Sequence, residues 1–280
     1  MNINEALNQG VNILRKNLIK SAQLDSEILM SKAINKNRKF IILNSKNKMD
    51  LKKYNFFNKL ILERSKGKPI AYLINKKDFW KYEFKIEKDI LIPRPDTEII
   101  VEQALEITKN KSNLRVLDIG IGSGCILLSI LKEKKNFYGV GIDISKKCLK
   151  ISKTNAHALD VTNRLNLFKS SIDNFNYGKY DLILSNPPYI NKLDLKYLNK
   201  DVVNYEPKLA LCGGLDGTSA IRKVIKKSSV LIKKNGKLIL EIGFDQKNRV
   251  KNFLVNNGFY INRVIKDLAK NDRCIISTKK

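Results

Sequence analysis

LDIGIGSGC, Leu117 to Cys125, places three glycines at alternate positions, Gly120, Gly122 and Gly124, between an apolar run and a helix-like one. Glycine lets the backbone approach a ligand closely, and a helix N-terminus offers N–H groups that have no partner inside the helix. Such a pattern alone is weak, but its setting strengthens it. LRVLDIG (114–120) reads as a strand, a helix begins near 124, and the next strand, FYGVGIDI (137–144), ends on Asp143. An acidic side chain at that point can accept two hydrogen bonds from a ribose diol.

Working outward, strands and helices alternate to the C-terminus. After the helix at 145–158 come LNLF (165–168), YDLILS (180–185), a helix from about 217, GKLILEIG (236–243) and a helix at about 246–256. GFYINRVIKD (258–267) and DRCIISTKK (272–280) close the chain. Buried strands without alternation, joined by helices, predict an α/β fold with a doubly wound, seven-stranded, mostly parallel sheet. The last two strands form a closing hairpin, so one edge carries an antiparallel strand.

Upstream the pattern is helical. Asn4 is placed to cap a helix bearing Ala6, Leu7, Val11, Ile13 and Leu14; further helices are expected at 22–34 and 50–65, ended by Gly67 and Pro69. DFWKYEFKIEKDILI (78–92) alternates as a β-hairpin does. PRPDTE (93–98) follows as an extended hinge, with Asp96 or Thr97 as cap of a helix running to about 109. The expected domains are 1–77, helical; 78–95, hairpin and hinge; and 96–280, the sheet domain.

Composition narrows the chemistry. Apolar residues make up 43% of 280 residues, and no run reaches the roughly 18 that a membrane-spanning helix needs. The N-terminus lacks a basic start and an apolar stretch, so a secretory signal is not expected and the cytoplasm is. Four separated cysteines (Cys125, Cys148, Cys212, Cys274) and one histidine, His157, speak against a metal site and against a histidine-dependent triad. The net charge is +27, yet only 10 of the 54 basic residues are Arg. Lys, Asn and Ile share A/T-rich codons, so genome bias accounts for most of the excess, with docking to an acidic or RNA-containing partner second.

SNPPYI (185–190) ends a core strand on an amide and two prolines. That strand is the fourth of the sheet, beside the glycine loop, where ligands of doubly wound sheets bind. Pro188 forces Pro187 to be extended, and neither has an N–H to donate. The turn therefore offers carbonyl oxygens beside the Asn186 side-chain oxygen, and two rigid acceptors can take both hydrogens of an –NH₂ group. Tyr189 supplies an aromatic wall. Both a dinucleotide and S-adenosylmethionine fit the glycine loop, and the Asp118-x-Gly-x-Gly-x-Gly spacing favours the second. Asp118 either binds that cofactor's ammonium or caps the strand end.

With these motifs in order, the chain resembles the release factor glutamine methyltransferase family. IPRPDTE (92–98), LDIGIGSG (117–124), SNPPYI (185–190), YEPKLALCGGLDG (205–217) and LAKNDR (268–273) carry the resemblance. QLDSEILM (23–30), GKPIAYLI (67–74) and FWKYEF (79–84) match the family's substrate-recognition half. The resemblance implies a class I methyltransferase sheet domain and a monomeric enzyme. Its substrate would be the glutamine side-chain nitrogen in the Gly-Gly-Gln motif of class I peptide chain release factors. It also implies S-adenosylmethionine held by Gly120, Ile121, Gly122, Ser123, Gly124 and Asp143, with Asn186 at its reactive end. Asn186, Pro187 and Tyr189 would be catalytic, and Asn186, Pro187, Pro188 and Tyr189 would hold the substrate. The family's usual Asp after the third strand is here Ser171, with Ile172 as the apolar adenine contact.

Other substrates use the same turn: an amino group on a nucleic-acid base, or a ribosomal-protein glutamine. A cofactor-binding, ribosome-associated module without catalysis would fit the charge, but would leave SNPPY without a purpose.

Overall fold

The computed structural model describes residues 1–280, which divide into two compact units. One comprises Met1–Lys76 with Asn199–Tyr205; the other comprises Lys77–Leu198 with Glu206–Lys280. In chain order the elements are α1 (Ile3–Lys16), α2 (Ala22–Ile34), α3 (Arg38–Leu43), α4 (Leu51–Ser65), α5 (Ile70–Ile74), β1 (Lys76–Phe79), β2 (Tyr82–Lys85) and α6 (Glu98–Ile107). There follow β3 (Arg115–Ile119), α7 (Cys125–Glu133), β4 (Tyr138–Asp143), α8 (Lys146–Ala158), β5 (Leu165–Lys169) and β6 (Tyr180–Ser185). The last are α9 (Lys200–Tyr205), α10 (Lys208–Leu211), α11 (Ser219–Leu231), β7 (Ile232–Glu241), α12 (Lys247–Asn256), β8 (Phe259–Lys266) and β9 (Asp272–Lys279). None of the helices is long and apolar enough to cross a membrane.

In the first unit, α1 starts at Asn2 rather than at the expected Asn4. The Asn2 side chain accepts from the Glu5 N–H (2.8 Å), and Glu5 accepts from the Asn2 N–H (2.9 Å), a reciprocal capping box. The apolar stripe Ala6, Leu7, Val11, Leu14 packs with Phe57, Leu60 and Ile61 of α4. Gly10 lets those helices come close, since a Cβ there would lie 2.8 Å from Phe57 Cζ. The sequence reading did not include α3; its six residues are too few to show a helical period. Between α2 and α4, Arg64 Nε donates to Asp25 Oδ2 at 2.7 Å with both side chains almost buried.

The second unit holds a seven-stranded sheet ordered β5-β4-β3-β6-β7-β9-β8, parallel throughout except for β9, which pairs antiparallel with β7 and β8. Apolar residues cover both faces of the central strands, as expected of strands buried on both sides. Val116, Leu182 and Ile239 point into the core formed with α6 and α7, whereas Leu117, Ile183 and Leu238 point into the core formed with α11 and α12. Each such side chain contributes about 1.5–3 kcal/mol by leaving water. The hairpin is shorter than the alternating stretch: only 76–85 pairs, and Ile86, Ile90 and Ile92 are buried. Segment 93–98 belongs to the sheet unit. All four cysteines are free, and His157 is exposed.

From β3 the chain moves outward through β4 to β5, then returns to place β6 on the other side of β3. The direction of winding therefore switches between β3 and β6, and a crevice opens beyond their C-terminal ends.

Arg64→Met would strand the Asp25 carboxylate inside the helical unit. The expected loss is about 3 kcal/mol, because a buried charge without its partner costs more than the pair gained. Urea unfolding followed by far-ultraviolet circular dichroism checks this; an unchanged transition would mean that the pair is not stabilising.

Candidate active site

Register brings the two motifs side by side. Asp118 pairs with Leu184 across β3 and β6, and one residue later Ser185 Oγ donates to the Ile119 carbonyl at 2.7 Å. The glycine loop and Asn186 thus leave the sheet from adjacent points. On the other flank β4 pairs in parallel with β3 and delivers Asp143 to the same end.

Gly120 and Gly122 adopt φ of +78° and +57°, where a side chain is strained, and a Cβ on Gly120 would meet nothing within 4 Å. That open side is space for a ligand. The loop is held from behind: Asp143 Oδ2 accepts from the Gly122 N–H (3.0 Å), Ser152 Oγ donates to the Gly122 carbonyl (2.9 Å), and Asn155 Nδ2 donates to the Ser123 carbonyl (2.8 Å). Gly124 serves packing, because a Cβ would lie 2.6 Å from Leu128. The Ile121 side chain is buried in the core and Ser123 is buried too, which leaves their backbone as what a ligand could meet.

Asp143 also accepts from the Ser145 N–H at 2.8 Å, so each carboxylate oxygen keeps acceptor capacity for a ligand hydroxyl. Burial raises its pKa, and the two N–H groups pull it back. Ile144, just after it, is 56% exposed and offers an apolar surface to a planar base; the sequence reading passed over it. The Ser170 N–H donates to the Asp143 carbonyl, which brings the following segment near. There Ser171 Oγ accepts from the Asn174 N–H, and Ile172 is half-buried against the core on the α11 side. Asp118 is 1% exposed, and neither carboxylate oxygen has a hydrogen-bond partner. Burial pushes its pKa up to about 7, with the Asp143 charge adding and the Leu127 N–H, outside hydrogen-bond geometry, opposing. The open glycine face, the available Asp143 oxygens and this unpartnered carboxyl fit a ligand with a ribose diol and a cationic group, as S-adenosylmethionine has.

On the β6 side, Asn186 is half-buried and its Nδ2 donates to Thr97 Oγ1 at 3.1 Å, which leaves Oδ1 as the acceptor it presents. Pro187 is buried, and Pro188 and Tyr189 are half-buried. The Tyr189 hydroxyl donates to Glu241 Oε1 at 3.1 Å, and Arg273 Nη1 reaches that hydroxyl at 3.4 Å. Burial, then the Glu241 charge, raises the Tyr189 pKa. The YEPKLALCGGLDG stretch backs this turn. A Cβ on Gly213 would lie 2.8 Å from the Pro188 carbonyl, and Glu206 holds both Arg94 and the Ile92 N–H. Gln246 Nε2 donates to the Tyr189 carbonyl at 2.8 Å.

Three residues here lay outside the sequence reading of the site: Thr97, Glu241 and Arg273. Thr97 stands at the N-cap position of α6, as expected, and closes a 3₁₀ turn, Pro95–Thr97, but it makes no side-chain cap bond and is 2% exposed. Glu241 ends β7, is 1% exposed, and has its pKa pushed up to about 7 by burial. Its signal was present in LILEIG, which ends a buried strand on a carboxylate as LDIG and GIDI do.

Comparisons with known proteins bear on the family and the fold. The family model described as PrmC N-terminal domain matches residues 5–74, and the one described as Methyltransferase small domain matches 97–204. The release factor glutamine methyltransferase of Clostridium acetobutylicum is 35% identical, over 100% of this chain and 99% of its own length. The bifunctional methyltransferase of Rickettsia conorii is 33% identical over 98% of this chain, but the match covers only 57% of that protein, so the chain spans little more than half the length of such relatives. Among solved structures, the ribosomal protein L11 methylase of Lactobacillus delbrueckii subsp. bulgaricus superposes with a TM-score of 0.51 at 20% identity, over 73% of this chain and 90% of that one. That likeness bears on the fold alone.

A carboxyl whose folded pKa is raised favours the folded state below its unfolded pKa and loses that advantage as pH rises. For Asp118 the window runs from about 3.8 to about 7. Without ligand, Asp118→Asn should therefore raise the melting temperature at pH 8 and leave it nearly unchanged at pH 4. A melting temperature lowered equally at both would assign Asp118 a structural bond instead.

Proposed function

The chain belongs to the release factor glutamine methyltransferase family, and from that membership we propose its reaction and substrate. It transfers a methyl group from S-adenosylmethionine to the side-chain nitrogen of the glutamine in the Gly-Gly-Gln motif of class I peptide chain release factors. The observation that carries this reading is Asn186, whose Nδ2 donates to Thr97 Oγ1 and so leaves Oδ1 as its acceptor, on the strand end next to the one that carries the open glycine loop.

When bound, S-adenosylmethionine supplies a methyl group on a positively charged sulfur. Gly120 and Gly122 would leave room for it, Asp143 would accept from its ribose hydroxyls, and Ile144 and Ile172 would offer apolar surface to its base. Asn186 Oδ1 and the Pro187 carbonyl accept one hydrogen each from the substrate –NH₂, and Tyr189, with Pro188, walls the amide plane. An amide nitrogen is a poor nucleophile because its lone pair is delocalised. The turn acts by aligning that nitrogen and by hydrogen bonds that strengthen as it pyramidalises. As the nitrogen–methyl bond forms, the methyl–sulfur bond breaks to leave a neutral thioether, and one of the two amide hydrogens departs as a proton to water. Residues 1–77 recognise the release factor, 78–95 link, and 96–280 carry the chemistry. The protein works as a monomer in the cytoplasm. The +27 charge keeps one competitor in view, an amino group on a nucleic-acid base.

Incubated with labelled S-adenosylmethionine and a release factor, the protein should label the factor, and mass spectrometry should place the methyl on the Gly-Gly-Gln glutamine. Labelling of bare RNA or DNA with the factor untouched would transfer the assignment to the competitor. Asn186→Ala should lower kcat by about 10²–10³ while cofactor Kd changes by less than about threefold, the pattern of a lost transition-state contact. A parallel loss of cofactor affinity would contradict its role as amide clamp.

A further inference from the structure

The turn 186–189 lies past the strand ladders, which end at Asp118 with Leu184 on one side of β6 and at Ser185 with Leu240 on the other. Pro187 and Pro188 have no N–H, so the turn cannot fasten itself through those donors. Its place depends on groups that reach it from elsewhere. Gln246, at the N-cap position of α12 and 2% exposed, is one of them. Its Nε2 donates to the Tyr189 carbonyl at 2.8 Å and to the Gly217 carbonyl at 3.1 Å, and its Oε1 accepts from the Gly243 N–H at 2.9 Å. Carbonyls only accept and an N–H only donates, so the amide fits in one orientation alone. One side chain thus ties the end of SNPPYI to the GGLDG loop and to the loop after β7. The surroundings are shaped for it. A Cβ on Gly217 would lie 2.5 Å from the Tyr189 carbonyl oxygen and 2.7 Å from Gln246 Nε2, and one on Gly243 would lie 3.0 Å from Gln246 Cδ.

We propose that Gln246 is a positioning residue: through the Tyr189 carbonyl it holds the proline turn, and with it Asn186 and the Tyr189 ring, in place relative to the glycine loop. Buried behind the turn, it acts without touching the substrate. Its own anchor is firm, because the Val250 N–H donates to the Gln246 carbonyl at 2.9 Å and both Val250 and Leu254 of α12 are fully buried. The chain leaving the turn is held on the same side. The Ile190 N–H donates to the Leu211 carbonyl at 3.0 Å, and the Gly213 N–H donates to the Ile190 carbonyl at 2.8 Å. At the other end of the turn, Asn186 is held by Thr97. Gln246 is therefore the tie that fixes the half of the turn that Thr97 does not reach.

The inference rests on the amide-clamp reading above, and its test separates the two. Gln246→Met keeps the length and removes all three bonds. Gln246→Glu, ionised, keeps an acceptor for the Gly243 N–H and removes both donors, and either variant suffices if the other fails to fold. Methylation of a release factor, counted per S-adenosylhomocysteine-binding site so that unfolded protein does not enter, should show kcat lowered about a hundredfold. KM and the Kd for S-adenosylhomocysteine should stay within about threefold, since misplacement of a reacting group falls on kcat. The turn can also be watched without substrate. With ¹³C in tyrosine carbonyls and ¹⁵N in isoleucine, only Tyr189–Ile190 and Tyr260–Ile261 give bonded pairs, and Tyr260→Phe identifies the second by removing it. The Tyr189 carbonyl signal should move upfield in both Gln246 variants, as a carbonyl does when it loses its donor. An unchanged kcat per site, a loss carried by KM or by cofactor Kd, or an unmoved Tyr189 signal would overturn the proposal. Failure of the unaltered protein to methylate the factor would overturn the functional reading instead, while the Tyr189 signal still decides whether Gln246 holds the turn.

Discussion

The parallel pairing of β3 with β6 is the constraint on which the site depends. Because the two strands are in register up to Asp118 and Leu184, their ends are reached together, and the Ser185 hydroxyl ties that level to the Ile119 carbonyl. A shift of one residue would turn every side chain of β6 to the opposite face. Leu182 and Leu184 would exchange cores with Ile183, and Asn186 would point away from the glycine loop. The cores on both faces of the sheet therefore guard the alignment of the two motifs, although they touch neither ligand nor substrate.

Carboxyl groups gather at that end of the sheet in a chain whose overall charge is strongly positive. Asp118, Asp143 and Glu241 stand at or next to the C-terminal ends of β3, β4 and β7, two of them almost completely buried. Burial disfavours their charged forms, so folding pays for this arrangement in stability. A cation brought into the crevice would recover part of that cost, which gives a physical sense to an acidic pocket inside a basic protein. The lysines, by contrast, are largely on solvated faces, and only some of them pair with carboxylates, as Lys223 does with exposed Asp173 and Lys233 with half-buried Asp181.

Much of this was legible because it is local or periodic. The glycine loop, Asp143 and the SNPPYI turn each follow an apolar run, and the alternation of strands and helices supplied their order. What escaped is what depends on distant partners. Thr97 sits where a helix cap is expected, yet its hydroxyl serves Asn186, 89 residues away. Glu241 is an ordinary strand-end residue until β7 lies beside β6 and Tyr189 comes within reach. The start of α1 escaped for another reason: Asn2 and Asn4 are equally good caps alone, and Glu5, three residues beyond Asn2, decides between them. Ile121 shows the converse, since its place in the glycine loop suggests a ligand contact while its side chain fills the core beside Gly141.

The first unit is discontinuous: after β6 the chain leaves the sheet unit, contributes Asn199–Tyr205, and returns at Glu206. That excursion is fastened within its unit, with the Tyr205 hydroxyl donating to the Lys66 carbonyl at 3.1 Å. The helical unit is therefore completed by residues encoded between the SNPPYI and EPKLALCGG motifs of the sheet unit. Genetic exchange cut at the boundary near residue 76 would join an incomplete helical unit to a sheet unit that still carries the missing piece. Any such exchange replaces part of the helical unit together with the sheet unit, even though each has a core of its own.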